Sequence, residues 1–439
     1  MDQRAPEPTL ADALANRLGQ PLGVIGARVP SAMIEGAGRP AGDGLTEVDL
    51  TLADGRVRLG ILPEAARIDA GHRIFWPRTV DCHTHIDKGQ TGPRSPNPNG
   101  TFDAAGTAIM RDRSDYFDVK DLSRRAEFQM RAAYAHGTAA LRSHVDADEA
   151  TLDAALDALS DLAADWAGRI DVQLCPFTDL FAPRDQMEGL ARAAARVGGA
   201  LSFYMRAAPG LADALDTAIS LAECHGVPLD FHADETLDPA SHCLRALAEA
   251  VLRTKFQGPV LAGHACALMV QRPEEADRTL DLVADAGIGI VSLPLCNTYL
   301  MDRAPGRTPR VRGGTLVHEM LARGIPVALG SDNTRDGYFA YGDLDMVELF
   351  RHTAHTLQLD HPVGDWPATV GPTPAKLLGH DGGHIRDGGP ADLIVFAARN
   401  WSEFHARPQT DRIVLDKGVP IASAPPNFSD LDTLSGMTP

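Results

Sequence analysis

Residues 226–235 read "GVPLDFHADE". An Ala/Leu-rich, helix-like segment precedes this stretch, a glycine opens it, and an apolar run ends in His232 and Glu235. Glycine suits the position just past a helix because that position often needs positive φ. A nearly continuous apolar run reads as a strand buried on both faces. Helix, glycine and buried strand with a polar tip form one unit. Working outward, the unit recurs at Gly137, Gly168, Gly198, Gly226, Gly258, Gly287 and Gly324, spaced 28 to 37 residues apart. The runs are "TAALRSHVD", "RIDVQLCPF", "GALSFYM", "VPLDFHAD", "PVLAGHA", "IGIVSLPL" and "IPVALGSD". Apolar periodicity near 3.6 residues marks the helices, as in "LSRRAEFQMRAAYAHG".

An opening strand over 78–83 makes eight. Eight strands alternating with helices predict a (β/α)8 TIM-type barrel. An open doubly wound sheet is the alternative. It is disfavoured because no GxGxxG turn follows the first strand, and "GAGRPAG" at 36–42 has the wrong spacing and context. The chain ends differ. Residues 20–79 and 390–422 hold short alternating runs with turn signals, predicting antiparallel strands that pair into one small β-sandwich. The predicted division is 1–79 for the amino-terminal part of the sandwich, 80–380 for the barrel, and 381–439 for the carboxy-terminal part. The last stretch, "SAPPNFSDLDTLSGMTP", reads as an extended tail with little core potential.

Composition narrows the function. A formal net charge of −18 over 439 residues disfavours nucleic acid and anionic membranes as partners. No run of eighteen apolar residues is present, so no membrane span is expected. The start, "MDQRAPEPTLADAL", lacks the basic-then-apolar layout of a secretory signal, so a cytoplasmic location is expected. The six cysteines show neither CxxC nor a disulfide framework and read as reduced thiols. A chain of this size is a possible homo-oligomer.

In such a barrel the catalytic groups sit at the carboxy-terminal strand ends. Those ends carry His83 and His85 on the first strand, His144 on the second, and His232 then Glu235 on the fifth. His264 ends the sixth and Asp332 the eighth. A lone histidine is more often a core residue than a ligand. Five strands ending in His or Asp at one phase argue for a shared divalent ion. His83, His85, His232 and Asp332 would supply three nitrogens and one oxygen to Zn2+ or Fe2+. Glu235, three residues past His232, is placed for acid–base work beside such an ion.

With "HTH", "FHADE", "GHA" and "GSDN" at these strand ends, the sequence resembles the amidohydrolase superfamily. The resemblance is to its cytosine deaminase-like branch. It rests on "HTHIDKG", "LRSHVDADEATL", "PLDFHADET", "NTYLMDR", "RTPRVRG" and "ALGSDNTRDGYFAYGDLDM". It implies one metal ion held by His83, His85, His232 and Asp332. It implies Glu235 as a proton shuttle to a ring nitrogen, His264 as a hydrogen-bond partner of the attacking oxygen, and Asp332 as a relay to the leaving amine. Members with two metals often bridge them with a lysine of the fourth strand; "GALSFYMRAAPG" has none, which favours one metal.

Two departures bear on the substrate. Cytosine deaminases carry a Gln on the third strand that reads the pyrimidine amide; here Thr178 and Asp179 lie near that place. After the strand 8 Asp the family commonly has a second Asp; here it is Asn333. Cytosine is therefore disfavoured, and a related amino-heterocycle remains. Lys88, Thr178, Asp179, Asn333 and Phe339 are the candidate substrate contacts, Lys88 having a salt bridge with Asp87 as its structural alternative. His144 reads as support for a metal ligand or as a packed core histidine. Arg310 and Arg312 anchor a loop or meet an acidic substrate group. The predicted function is hydrolytic deamination of an amino-substituted nitrogen heterocycle, releasing ammonia. The alternative is cleavage of another C–N bond, in an N-alkylamino triazine or a cyclic amide. A barrel that only binds a ligand is disfavoured because neither the metal set nor Glu235 is lost. The small zinc deaminases need H-x-E with P-C-x-x-C, which "PLCN" does not supply.

Overall fold

Strand β1 (Leu22–Pro30) pairs antiparallel with β2 (Leu45–Ala53), which turns at Asp54 and Gly55 into β3 (Arg56–Leu59). Both turn residues have positive φ, 52° and 73°, as a two-residue Asp-Gly hairpin requires. Strand β4 (Ala66–Asp69) lies parallel on the other side of β1. The computed structural model describes residues 10–16, 20–36, 42–146, 148, 150–422 and 424–437. The first nine residues of the amino-terminal stretch read above, and 37–41 of the glycine-rich one, lie outside them.

After β5 (Phe75–Pro77) come the barrel strands. They are β6 (Thr79–Thr84), β7 (Thr138–Asp146), β8 (Asp171–Asp179), β9 (Leu201–Tyr204), β10 (Leu229–Ala233), β11 (Val260–His264), β12 (Gly289–Ser292) and β13 (Val327–Leu329). All eight lie parallel in sequential order. A parallel bridge between Thr84 and Asp332 joins the last strand's end to the first. The Asp332 amide donates to the His83 carbonyl at 2.9 Å, and the Thr84 hydroxyl donates to the Asp332 carbonyl at 2.9 Å. The expected barrel is present, closed at the residue expected to bind metal.

Six of the seven recurring glycines have positive φ; Gly258 does not. Its helix, Cys243–Thr254, ends earlier, on Lys255 in the left-handed region. A side chain at Gly258 would instead meet the Phe256 ring, 2.4 Å from the Cβ position. The run "IGIVSLPL" is also cut short as a strand. Pro294 cannot extend a central strand and starts the helix Pro294–Leu300.

Strand β14 (Leu393–Val395) pairs with β5, opposing Ile394 to Trp76, and continues to β15 (Ile413–Asp416) and β16 (Val419–Pro420). This sheet and the β1–β4 sheet share one apolar core, the sandwich expected from the two chain ends. Trp76 lies at its centre, its ring 5.1 to 5.4 Å from Phe350, Phe396 and Phe404. The extended tail expected at the carboxy-terminus is instead docked on the helix Val119–His136. Leu431 and Leu434 are buried with Phe128, and Arg131 pairs with Asp430 at 3.2 Å. Two spaced leucines sufficed because the helix offers a matching apolar face.

Trp76→Ala removes the largest fully buried ring of the sandwich and should cost about 3–5 kcal/mol. Thermal and denaturant unfolding followed by circular dichroism measure this. A loss below about 1 kcal/mol would contradict the assigned core.

Candidate metal centre and active site

His83 and His85 sit two residues apart, at and just past the end of β6, so both rings reach the barrel mouth. His232 on β10 and His264 on β11 come beside them, because His232 is in register with Gly263. The His83 ring centroid is 4.5 Å from that of His232 and 5.5 Å from that of His264. Room for His83 depends on two glycines. A Cβ at Gly263 would lie 3.0 Å from the His83 ring, and one at Gly330 would lie 2.9 Å from the His83 Cβ. The glycines of "GHA" and "GSD" are therefore steric requirements of the histidine cluster.

These groups are short of partners. His83 Nε2, His264 Nε2 and both Asp332 carboxylate oxygens are buried without a hydrogen bond. Leaving such polar atoms dry costs several kcal/mol unless something else pairs with them. Two donors each about 2.1 Å from one ion at the tetrahedral angle lie about 3.4 Å apart. His85 Nε2 is 3.4 Å from Asp332 Oδ1 and 3.4 Å from His232 Nε2. His83 Nε2 is 3.5 Å from Asp332 Oδ1. Burial lowers the imidazole of His85 to about 3, helped by Lys88, and takes His232 well below its ordinary value. Both rings are neutral at neutral pH, with lone pairs available. The donor set fits a divalent ion of borderline softness.

Second-layer contacts fix the rings. His144 Nε2 lies 3.2 Å from His83 Nδ1, and His144 Nδ1 lies 2.9 Å from the Ser202 hydroxyl. A proton donated from His83 to His144, and one from His144 to Ser202, fixes the His83 ring with Nε2 toward Asp332. Asp81 accepts from the Ser331 hydroxyl at 2.5 Å and from the His83 amide at 3.2 Å, tying the Asp332 turn to β6. Asp234, His264, Ala265 and Asp332 all have positive φ, between 52° and 73°. Such backbone persists only where surrounding contacts hold it, and it gathers at functional sites.

Glu235 Oε1 lies 3.5 Å from His264 Nδ1. Burial, and then the Asp332 charge, push the Glu235 carboxyl well above the ordinary range. Burial also acts on Asp332, but the facing imidazoles of His83 and His85 outweigh it and hold that carboxyl low. Two neighbouring carboxyls are thus driven apart, one toward acid and one toward carboxylate. The loop carrying Glu235 is anchored by Asp234, which accepts from the amides of Cys243 and Leu244 and from the Ser241 hydroxyl at 2.7 Å. The Asn297 amide, 3.1 Å from His264 Nδ1, turns the other nitrogen of that ring inward.

Of the candidate substrate contacts, Lys88 is buried, 3.4 Å from Asp146 and 5.1 Å above the Tyr338 ring centre. Its salt bridge runs to Asp146 rather than to Asp87, whose Oδ2 accepts from the Asp146 amide at 2.8 Å. Asp179 pairs with Arg206 at 3.1 Å and accepts from the Phe181 amide, while Thr178 faces Gln186. The β8 residue beside the imidazoles is Phe177, its ring 4.6 Å from that of His232. Asn333 donates to Asp336 at 2.8 Å, and Phe339 packs with Leu300 and Cys296. Arg312 donates to the Thr298 carbonyl at 3.0 Å, which anchors its loop. Phe177, Asp234, Asn297 and Asp336 were not singled out from the sequence. The i+2 phase on β8 would have indicated Phe177; the others depend on loop geometry.

The amidohydrolase family model matches residues 130–414. The chain belongs to this family. Among relatives of this amidohydrolase is a pterin deaminase of Rhizobium rhizogenes, 43% identical over 93% of this chain and 96% of the relative. Another is an N-isopropylammelide isopropyl amidohydrolase of Pseudomonas sp., 26% identical over 75% of this chain and 81% of the relative. A 5-methylcytosine deaminase of Klebsiella pneumoniae shares the fold, with TM-score 0.78 and 23% identity over 92% of this chain and 98% of that one. The barrel, the flanking sandwich and their order are therefore a family frame.

His144→Leu removes the ring that receives the His83 proton. It should leave the fold intact and weaken metal affinity by about 10–100-fold. Competition with a chromophoric chelator measures this; unchanged affinity would remove His144 from the ligand frame.

Proposed function

We propose that this enzyme is a metal-dependent hydrolytic deaminase acting on a pterin-like amino-heterocycle. The carrying observation is the buried Glu235 carboxyl, 3.5 Å from His264 Nδ1, beside a cluster of imidazole and Asp332 atoms that lack hydrogen-bond partners. The pterin deaminase relative, matched along nearly the whole chain, supports the ring class. The N-isopropylammelide relative, less identical over less of the chain, gives weaker support to cleavage of a substituted amine.

In this reading His83, His85, His232 and Asp332 hold one divalent ion, Zn2+ or Fe2+. When bound, such an ion lowers the pKa of water from 15.7 toward ~7 and supplies a nucleophile at neutral pH. Glu235 gives its proton to the ring nitrogen beside the amino-bearing carbon and takes one from the attacking water. His264, oriented by Asn297, holds the incoming oxygen. Asp332 relays a proton to the amino group, which leaves as ammonia as the ring carbon becomes a carbonyl. Atoms balance as water plus an amino-substituted C=N giving C=O plus ammonia. Each positioned proton transfer contributes ~10²–10⁴-fold.

Lys88, Asn333, Phe339, Thr178 and Asp179 form the substrate side, with Lys88 and Tyr338 within electrostatic reach of Glu235. The acidic net charge of −18 supports a small-molecule rather than a nucleic-acid partner. Among the described residues no helix is long and apolar enough to cross a membrane, and we place the enzyme in the cytoplasm, as a possible homo-oligomer.

Glu235→Gln should retain the metal and the fold and lose about 10²–10⁴-fold in turnover. Ammonia release from pterin measures this; retention of about a tenth of the activity or more would overturn the role. Chelation to the apo form should abolish ammonia release, and Zn2+ or Fe2+ should restore it. Activity that survives verified metal removal, or that appears only with N-alkylamino triazines, would overturn the proposed reaction.

A further inference from the structure

Beside the imidazole cluster lies a second donor set, of which the proposed reaction uses only Asp332 as a ligand. Donor atoms of Glu235, Cys296 and Asp332 all lie within 4.8 Å of one another. Cys296 is fully buried near the start of the helix Pro294–Leu300, its sulfur against the Asp332 carboxyl, 3.8 Å from Asn333 Oδ1 and 4.0 Å from the Tyr338 carbonyl. Asp332 turns Oδ1 toward His83 and His85, and its Oδ2 is buried with no hydrogen-bond partner. The Glu235 carboxyl and the Cys296 thiol therefore converge on the Asp332 carboxylate, which also faces the first donor set.

The geometry points to a second, inhibitory cation site formed by Glu235, Cys296 and Asp332, selective for a thiophilic divalent ion such as Zn2+ or Cd2+. This inference rests on the proposed reaction, since inhibition requires that Glu235 work as the proton shuttle. The sulfur sets the selectivity. Thiolate suits Zn2+ and its heavier congener, while Mg2+ and Ca2+ prefer all-oxygen sites. Bonds of about 2.3 Å to sulfur and about 2.1 Å to oxygen require the three side chains to close in by small torsional shifts. On binding, the Cys296 S–H bond breaks, its proton passes to buffer, and the sulfur–metal bond forms. Any proton on the ligating Glu235 oxygen leaves likewise. Glu235 is then held as a ligand and cannot carry protons between water and the ring. Asp332 would be shared between the two donor sets.

The test uses full-length enzyme loaded with one equivalent of Zn2+, in a Cys224→Ser background that removes the exposed thiol. Cd2+ is titrated in while bound Zn2+ and Cd2+ are counted by equilibrium dialysis. The expected result is one further equivalent of Cd2+, an ultraviolet thiolate-to-cadmium charge-transfer band, and a loss of turnover of about tenfold or more. Cys296→Ser and Cys296→Ala should each keep turnover without Cd2+, lose the band, and need about 100-fold more Cd2+ for inhibition. Two variants of different size guard against a folding defect in either. A band that persists in both variants, one-for-one replacement of Zn2+ with no added equivalent, or equal inhibition of parent and variants would overturn the second site. Ammonia release by the parent before Cd2+ is added tests the deaminase reading separately. A parent that is inactive yet takes up the extra Cd2+ with the band would count against the reaction and not against the site.

Discussion

The backbone hydrogen bond from the Asp332 amide to the His83 carbonyl is the contact on which the active centre depends. It joins the last barrel strand to the first. The same contact brings a carboxylate from residue 332 against imidazoles from residues 83 and 85, more than 240 positions earlier. Asp332 must adopt a left-handed backbone to make it, and Asp81 holds the turn through Ser331. Barrel closure and assembly of this histidine–carboxylate cluster are therefore one event. The local backbone strain, of order 1–3 kcal/mol per residue, is met by a network anchored in a fully buried strand.

Burial sets the chemistry of the residues so gathered. It lowers the imidazoles of His85, His232 and His264, raises Glu235, and is overcome at Asp332 by the facing rings. A mouth assembled from neutral nitrogens, one carboxylate and one protonatable carboxyl favours a cation and a proton carrier. The aromatic flank of Phe177, Tyr338 and Phe339 adds flat apolar surface, which suits a planar heterocycle. The sandwich plays a different part. Its core around Trp76 also packs against Phe350, on the helix that follows β13, and so braces the barrel near its seam.

Much of the fold was legible because its signals are periodic and local. Recurring glycines near thirty-residue intervals, unbroken apolar runs and polar strand tips specified the barrel and the phase of its ligands. Where one glycine did not cap a helix, the reason lay in a ring packed against it, which no spacing reveals. The tail was misread for a related reason. Leu431 and Leu434 show no period of their own, and their burial depends on the apolar face of a helix some 300 residues away.

What the sequence determined by itself was the inventory at the strand ends: His83, His85, His232, Glu235, His264 and Asp332, together with the glycines that leave them room. Strand periodicity sends those side chains to one rim whatever the loops do. Only the tertiary structure decided the partners that loops supply. Asp234 anchoring the Glu235 loop, Asn297 orienting His264, Lys88 choosing Asp146, and Cys296 arriving beside Asp332 all involve contacts across elements. Such contacts depend on where chain segments return in space, and no residue pattern along the chain encodes that return directly.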